Sequence, residues 1–234
     1  KFEINTKLAL QNYLREATKQ CSTIKTILYK DKSEKLMNFY VPSNLKFGEQ
    51  IINCENIDNI KDIGLNLLVI GTGGLGKSML MRYLFLKELE SRDRIPVYIE
   101  LRNFSSTNQS LLTHIHEKIE ELGGKFEDKL FEHALNNGIF MFLFDGLDEI
   151  DFNRLPNFEQ EFRKLCNKYS KNRFVVSTRN FQDFISWHEF KNIYIQPFEL
   201  EQSVDLIKNL KYDQEIKKIF IDGLINGVYE SHSS

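Results

Sequence analysis

One glycine-rich segment fits the pattern Gly-x-x-x-x-Gly-Lys-[Ser/Thr] at every position. It consists of Gly71, Thr72, Gly73, Gly74, Leu75, Gly76, Lys77 and Ser78. Glycines let such a loop curl with positive φ and bring backbone N–H groups close to phosphate oxygens. The lysine supplies a mobile positive charge to the β- and γ-phosphates, and the serine hydroxyl is a ligand for Mg²⁺. The segment predicts a phosphate-binding loop that continues into Met79 at the start of a helix.

A second group of chemically active residues is acidic. Asp145, Asp148 and Glu149 directly follow the apolar run 139–144. Ligands of open α/β sheets bind beyond the carboxyl ends of the strands, so these acids are expected to face the phosphate loop. Asp145 would hold Mg²⁺ through the water shell of the metal. Glu149, with Asp148 near it, would orient and deprotonate the water that attacks the γ-phosphorus.

A cation follows another apolar run. Arg179 comes directly after residues 174–178, which read as a buried strand. An arginine at that strand tip can reach the γ-phosphate and respond to its loss on hydrolysis. An ordinary surface arginine is the alternative, but three predicted strand ends converge on one site, which favours the functional role.

The elements that must position these residues alternate along the chain. Apolar runs predict strands at 67–70, 97–101, 139–144, 174–176 and 193–195, and amphipathic helices are predicted between them. Strands separated by helices imply a parallel sheet with right-handed crossovers and helices on both faces. The predicted class is therefore α/β, with a five-stranded parallel sheet.

The flanking segments complete the predicted organisation. The first thirty residues predict one long helix whose apolar stripe packs on its own domain or, alternatively, on another chain. Residues 36–41 predict a short strand stopped by Pro42, and residues 43–62 read as irregular. Two helices are predicted beyond Pro197. The predicted divisions are a helical packing segment at 1–35, the nucleotide-binding domain at 36–198 and an incomplete helical subdomain at 199–234.

Composition narrows the classes of function. The 31 Lys and Arg residues balance 33 Asp and Glu residues, giving a formal net charge of −2, so nucleic-acid binding is not indicated. No apolar run approaches the ~20 residues that span a bilayer, so no membrane association is expected. Three cysteines are present without a Cys-x-x-Cys pair, which disfavours a disulfide framework or a zinc site. A reducing cytoplasm is the expected location.

Together these motifs resemble the NACHT family, within the signal-transduction NTPases with numerous domains (STAND). The resemblance lies within residues 65–210 and is carried by the phosphate loop, by the run 143–149, by Ser177-Thr178-Arg179 and by Gln196-Pro197-Phe198-Glu199-Leu200. It implies an ATP/ADP switch built on a P-loop NTPase sheet of the additional-strand type, with strand order 5-1-4-3-2. Slow ATP hydrolysis with Mg²⁺ is the expected activity. It also implies opening and self-association of the NTPase domain when a C-terminal sensor detects a ligand, which activates an N-terminal effector. Bacterial members are often antiphage defence proteins, and animal members are innate immune receptors. The Lys-, Ile- and Asn-rich composition favours a bacterial member.

The resemblance also implies features that these residues do not include. Effector and sensor modules are expected in the parent chain, outside this sequence. The segment before the phosphate loop contacts adenine in such proteins, which makes Tyr40, Val41 and Pro42 candidates. Two alternatives remain open: an AAA-like ATPase that remodels protein or nucleic acid, and a module that binds nucleotide without turning it over.

Overall fold

A computed structural model of the chain describes residues 2–24, 33–104, 109–179, 187 and 189–228. Two sheets are present in these residues. The strands are β1 (Thr23–Ile24), β2 (Glu34–Lys35), β3 (Leu45–Phe47), β4 (Gln50–Ile52), β5 (Asn66–Ile70), β6 (Ile95–Glu100), β7 (Phe140–Asp145), β8 (Arg173–Thr178) and β9 (Lys191–Ile195). The pair β1–β2 forms a small antiparallel ribbon, and the other strands form one seven-stranded sheet of order β4-β3-β9-β5-β8-β7-β6.

The central strands of the large sheet are parallel. Strands β9, β5, β8, β7 and β6 pair in parallel in that spatial order. Numbered along the chain from β5, this order is 5-1-4-3-2, and the predicted α/β fold with a parallel sheet is confirmed. The carboxyl ends of β5, β7 and β8 therefore meet at one edge, where ligands of such sheets bind.

The predicted count of five strands is wrong, because a hairpin extends the sheet. Strands β3 and β4 pair with each other across a tight turn, and β3 pairs antiparallel with β9. Both strands lie in residues 43–62, which were expected to be irregular. Strands of three residues are too short to show a periodic apolar pattern, so the sequence gives little sign of them.

Two other local expectations also differ from the structure. Residues Leu36–Asn38 form a 3₁₀ turn, not the predicted strand at 36–41. Leu36 and Phe39 are buried three positions apart, a spacing that suits a helical turn. The first helix ends at Ser22, short of the predicted thirty residues, and β1 follows it.

Helices cover both faces of the sheet. They are α1 (Phe2–Ser22), α2 (Ile57–Lys61), α3 (Lys77–Ser91), α4 (Leu101–Phe104), α5 (Leu111–Glu121), α6 (Asp128–Asn136), α7 (Leu155–Lys168), α8 (Leu200–Asn209) and α9 (Gln214–Gly223), followed by a wide turn at Leu224–Val228. Helix α3 packs on β6, β7 and β8, and α1 packs on α3. Of the helices in the described ranges, none is both long enough and apolar enough to cross a lipid bilayer.

Aromatic rings define the opposite face. Phe162 of α7 meets Phe144 of β7 edge-on, with ring centroids 5.2 Å apart, and it also contacts Phe174 of β8. Side chains alternate along a strand, so Asp145 of β7 and Ser177 of β8 point to the other face, where α3 lies. The alternation therefore directs these two polar side chains towards the helix that follows the phosphate loop.

The N-terminal helix shares the core of the sheet domain. Leu10, Tyr13, Ala17 and Cys21 are almost fully buried and belong to the same apolar cluster as the strands. The Tyr13 hydroxyl donates a hydrogen bond to the carbonyl of Pro96 in β6 at 3.0 Å. Of the two packing partners that the sequence left open, the structure shows the helix on its own domain.

A buried asparagine joins two connections at the amino ends of the strands. The Asn172 amide group donates to the carbonyls of Leu135 at 2.7 Å and Tyr169 at 2.8 Å. Its side-chain oxygen accepts a hydrogen bond from the backbone N–H of Phe140 at 3.0 Å. One fully buried side chain thus fixes the entry into β7 and the turn before β8.

We expect Asn172→Ala to destabilise the fold by about 3 kcal/mol, because one N–H and two carbonyl groups lose their buried partner. Urea unfolding followed by circular dichroism measures the change. The control is Asn157→Ala, whose amide contacts Glu161 on the exposed side of α7 and whose loss should cost less than ~0.5 kcal/mol. Equal free energies of unfolding for the two variants would contradict this role of Asn172.

Candidate functional site

The glycine-rich segment joins the end of β5 to the start of α3. Gly76 precedes the helix with φ of 83°, in the left-handed region that side-chain-bearing residues rarely adopt. No side chain caps this helix start. The first amide groups of α3 therefore remain available to an anion, and the helix dipole favours one there.

Lys77 folds back over its own loop. Its Nζ donates hydrogen bonds to the carbonyl oxygens of Gly71 at 2.7 Å and Thr72 at 3.0 Å. Partial burial lowers the pKa of Lys77 from its ordinary value, and the nearby carboxylate of Asp148 opposes that shift. The ammonium group thus lies beside both the loop and the acidic residues.

Asp145, the last residue of β7, is held from both neighbouring strands. The Tyr98 hydroxyl of β6 donates to its Oδ2 at 2.9 Å, and the Ser177 hydroxyl of β8 donates to its Oδ1 at 2.5 Å. Ser177 Oγ also accepts a hydrogen bond from the N–H of Gly146 at 2.9 Å. All of these contacts are buried, so the carboxylate has a fixed orientation.

A tight turn carries the other two acids. Residues Leu147–Glu149 form a 3₁₀ turn in which the Glu149 N–H donates to the carbonyl of Gly146 at 2.9 Å. Gly146 has φ of 81°, and a Cβ there would lie 3.1 Å from Cδ of Glu149. The positive φ therefore favours glycine, and any larger residue would also crowd the Glu149 side chain. The Glu149 side chain is 40% exposed, and its Oε2 lies 3.9 Å from Nε of Arg102.

Asp148 and Arg179 form a double contact. The backbone N–H of Arg179 donates to Oδ1 of Asp148 at 2.8 Å, and its Nε lies 3.1 Å from Oδ2. The pair fixes the turn after β7 against the end of β8. Asp148 is thereby engaged as a partner of arginine, whereas Glu149 has the more exposed carboxylate.

These groups line one cavity of about 270 Å³. Its walls are Gly73, Gly74, Gly76, Lys77, Ser78, Met79, Asp145, Gly146, Asp148, Glu149, Ser177 and Arg179. Phosphate-binding backbone, a lysine, a serine hydroxyl and carboxylates therefore meet in one space. The loop, the acidic turn and the arginine come from separate strands, as the sequence predicted.

The donors in this cavity suit Mg²⁺ better than a metal held by protein alone. No group of three or more His, Cys, Asp or Glu side chains arranged for a metal occurs in the described parts of the chain. Magnesium is usually bound by one or two carboxylates together with substrate phosphates and waters. The exposed Ser78 and the oriented carboxylate of Asp145 fit that pattern.

The three candidate adenine contacts, Tyr40, Val41 and Pro42, lie outside this cavity. Tyr40 packs on Tyr83 of α3 with ring centroids 5.2 Å apart, and the Pro42 carbonyl accepts a hydrogen bond from Gln202 of α8 at 2.9 Å. Val41, between them, is half-buried. Contact of these residues with adenine stays a prediction. Gly71, Thr72 and Leu75 contribute to the loop without lining the cavity, Gly71 and Thr72 through their carbonyls.

The sequence reasoning missed Tyr98 and gave no role to Ser177. Tyr98 lies between the apolar residues Val97 and Ile99 of a buried strand, where a polar group needs a partner, and this was the available signal. Arg102 received no role in the sequence analysis. The structure brings it near Glu149.

Comparison with known proteins gives a family and several structural likenesses. A family model described as the NACHT domain matches residues 66–209. No curated protein matches the chain. The structure is similar to AMPPCP-bound DnaA from Aquifex aeolicus, with 14% identity, a TM-score of 0.46 and coverage of 83% of this chain. This chain spans 63% of the length of that DnaA structure.

Two further solved structures are similar. Domain III of the Thermotoga maritima replication initiation protein DnaA has 16% identity and a TM-score of 0.44, covering 71% of this chain and 72% of that one. PCH-2 of C. elegans has 16% identity and a TM-score of 0.39, covering 69% of this chain and 48% of that one. The NACHT model, by contrast, covers more than half of the sequence together with the phosphate loop and the acidic turn, and the chain therefore belongs to the NACHT family of P-loop NTPases.

Proposed function

We propose that this domain is an ATP/ADP switch that binds nucleotide with Mg²⁺ and hydrolyses ATP slowly. The observation that carries the proposal is the cavity in which the phosphate loop, the acidic turn and Arg179 meet. A site that only held a nucleotide would need the loop alone. An exposed carboxylate and an arginine on the other walls supply the groups that hydrolysis requires.

The loop and Lys77 bind the phosphate tail. Amide groups of Gly73 to Ser78 donate to phosphate oxygens, and the positive end of the α3 dipole favours the anion. Lys77 turns its ammonium group from the carbonyls of Gly71 and Thr72 to the β- and γ-phosphates. Hydrogen bonds from the ammonium group to charged phosphate oxygens are stronger than those to the uncharged carbonyl oxygens that it gives up.

Ser78 through its hydroxyl and Asp145 through water would hold the Mg²⁺. The ion would neutralise negative charge on the β- and γ-phosphates. Glu149 orients the attacking water and accepts its proton, because its carboxylate is exposed to the cavity.

Arg179 contacts the γ-phosphate, and Asp148 holds Arg179 in reach of it. Asp148 thus supports hydrolysis indirectly, through the arginine.

We infer the wider role from family membership. The switch opens and self-associates through the NTPase domain when a C-terminal sensor of the parent chain detects its ligand, and it activates an N-terminal effector. A signalling role in innate immunity, such as bacterial antiphage defence, is the proposed setting, and the cytoplasm is the proposed location. Tyr40, Val41 and Pro42 contact adenine in this proposal. Membership in the NACHT family supports these statements.

Lys77→Ala should weaken ATP binding about 100-fold, because charged hydrogen bonds to two phosphates are lost. Isothermal titration calorimetry measures the affinity. Lys87→Ala is the matched control, since Lys87 lies on the same helix and pairs with Glu90. Unchanged ATP affinity in Lys77→Ala would rule out this loop as the phosphate site.

Glu149→Gln should keep ATP affinity within about threefold and lower the rate of phosphate release at least about 100-fold, because the amide cannot accept the proton of water. Single-turnover phosphate release measures this rate. Glu90→Gln, which changes a surface glutamate of α3, serves as the control and should retain the wild-type rate. Wild-type turnover in Glu149→Gln would exclude Glu149 as the base. Wild-type protein that binds ATP without releasing phosphate would favour a binding module instead.

Arg179→Ala should reduce ATP affinity about tenfold with little effect on ADP, because only ATP carries the phosphate that this guanidinium contacts. Parallel calorimetric titrations with both nucleotides give the ratio of affinities. Arg15→Ala, on the exposed side of α1, should leave the ratio unchanged. Equal losses of ATP and ADP affinity would assign Arg179 to the stability of the site and not to recognition of the γ-phosphate.

A further inference from the structure

The hydrogen bonds of Asp145 suggest a further functional residue. A carboxylate that holds a cation through water must present its free lone pairs in one direction. Each oxygen of Asp145 accepts one buried hydroxyl hydrogen bond, from Tyr98 or from Ser177. Carboxylate oxygens offer about four acceptor sites in total, so acceptor positions remain on both oxygens. The two hydroxyl groups therefore determine which free acceptor positions of the Asp145 carboxylate face the cavity.

The two donors differ in how they are held. Ser177 accepts from the N–H of Gly146 while it donates to Asp145, so the main chain of the acidic turn fixes it. Tyr98 reaches Asp145 from the neighbouring strand, where Glu100 pairs in register with Asp145. A phenol hydroxyl is protonated at physiological pH, so Tyr98 is the donor in this contact and the carboxylate of Asp145 is the acceptor.

Tyr98 also connects Asp145 to the helix of the phosphate loop. The guanidinium carbon of Arg82, on α3, lies 5.8 Å from the centroid of the Tyr98 ring. Nη2 of Arg82 lies 3.5 Å from Oε1 of Glu100. The helix that carries Lys77 and the strand that ends at Asp145 thus share one polar cluster, consisting of Arg82, Tyr98 and Glu100.

We propose that Tyr98 is a positioning residue that orients Asp145 for Mg²⁺ and so sets the affinity of the nucleotide site for the metal. This inference rests on the proposed Mg²⁺–nucleotide function. Tyr98 does not line the cavity and acts through the carboxylate of Asp145. If Tyr98 only filled space between β6 and α3, its hydroxyl would affect folding stability and leave the metal requirement unchanged.

The test uses the full chain with Tyr98→Phe. Calorimetry measures the affinity for a non-hydrolysable ATP analogue in EDTA and across a series of Mg²⁺ concentrations. We expect affinity in EDTA within about twofold of wild type and a half-saturating Mg²⁺ concentration raised about tenfold, the usual effect of losing a partner of a metal-holding group. Tyr13→Phe is the matched control. It removes another buried hydroxyl, one that bonds Pro96 of the same strand, and should leave the Mg²⁺ requirement unchanged.

A double-mutant cycle separates positioning from general damage. Asp145→Asn should remove most of the Mg²⁺ enhancement of analogue binding, and adding Tyr98→Phe should then change nothing further. Ser177→Ala, which removes the donor to the other oxygen, should raise the Mg²⁺ requirement in the same direction. It carries the test if Tyr98→Phe fails to fold.

The outcomes distinguish the inference from the function on which it rests. If Mg²⁺ does not change the affinity of the wild-type protein for the analogue, both the proposed function and the role of Tyr98 are overturned. If Mg²⁺ raises the affinity of the wild-type protein for the analogue, and folded Tyr98→Phe needs the same Mg²⁺ concentration, only the role of Tyr98 is overturned. The role of Tyr98 is also overturned if Tyr98→Phe raises the half-saturating Mg²⁺ concentration as much in the Asp145→Asn protein as in the wild type. Tyr98 would then act independently of Asp145.

Discussion

A buried carboxylate at the end of an apolar strand is the constraint on which the site depends. A carboxylate removed from water is costly unless hydrogen bonds compensate it. Asp145 meets this demand with Tyr98 on one side and Ser177 on the other. Its two hydrogen bonds therefore join three adjacent strands at their carboxyl ends. A shift in the register of β6 or β8 would remove one of them.

The alternation that points Asp145 towards α3 also explains why the remaining parts of the site converge. Side-chain alternation sends the aromatic residues of β7 and β8 towards α7 and their polar neighbours towards α3. Helix α3 begins at the phosphate loop, so the polar face of the sheet and the start of the helix lie together. The acidic turn then needs only Gly146 to redirect the chain, and the contact between Asp148 and Arg179 joins that turn to β8.

The sequence allowed the parallel sheet and the phosphate loop to be predicted, because both depend on local patterns. Apolar runs such as 139–144 fill a buried strand, and the loop motif is contiguous. The hairpin at Leu45–Phe47 and Gln50–Ile52 was missed because its position is set by pairing with β9, about 150 residues away in the chain. The contact between Tyr98 and Asp145 was missed for a similar reason. It spans 47 residues and arises from strand register, which single-residue patterns do not reveal.

The attachment of α1 has a practical consequence for work with this protein. The helix packs on α3 and buries Leu10, Tyr13, Ala17 and Cys21, and the Tyr13 hydroxyl donates a hydrogen bond to β6. A shortened recombinant protein that begins at the first strand of the parallel sheet would expose an apolar surface of α3 to solvent. Such a protein would be prone to aggregate. Expression boundaries for crystallography or enzymology should therefore keep the N-terminal helix, even though the family match begins only at residue 66.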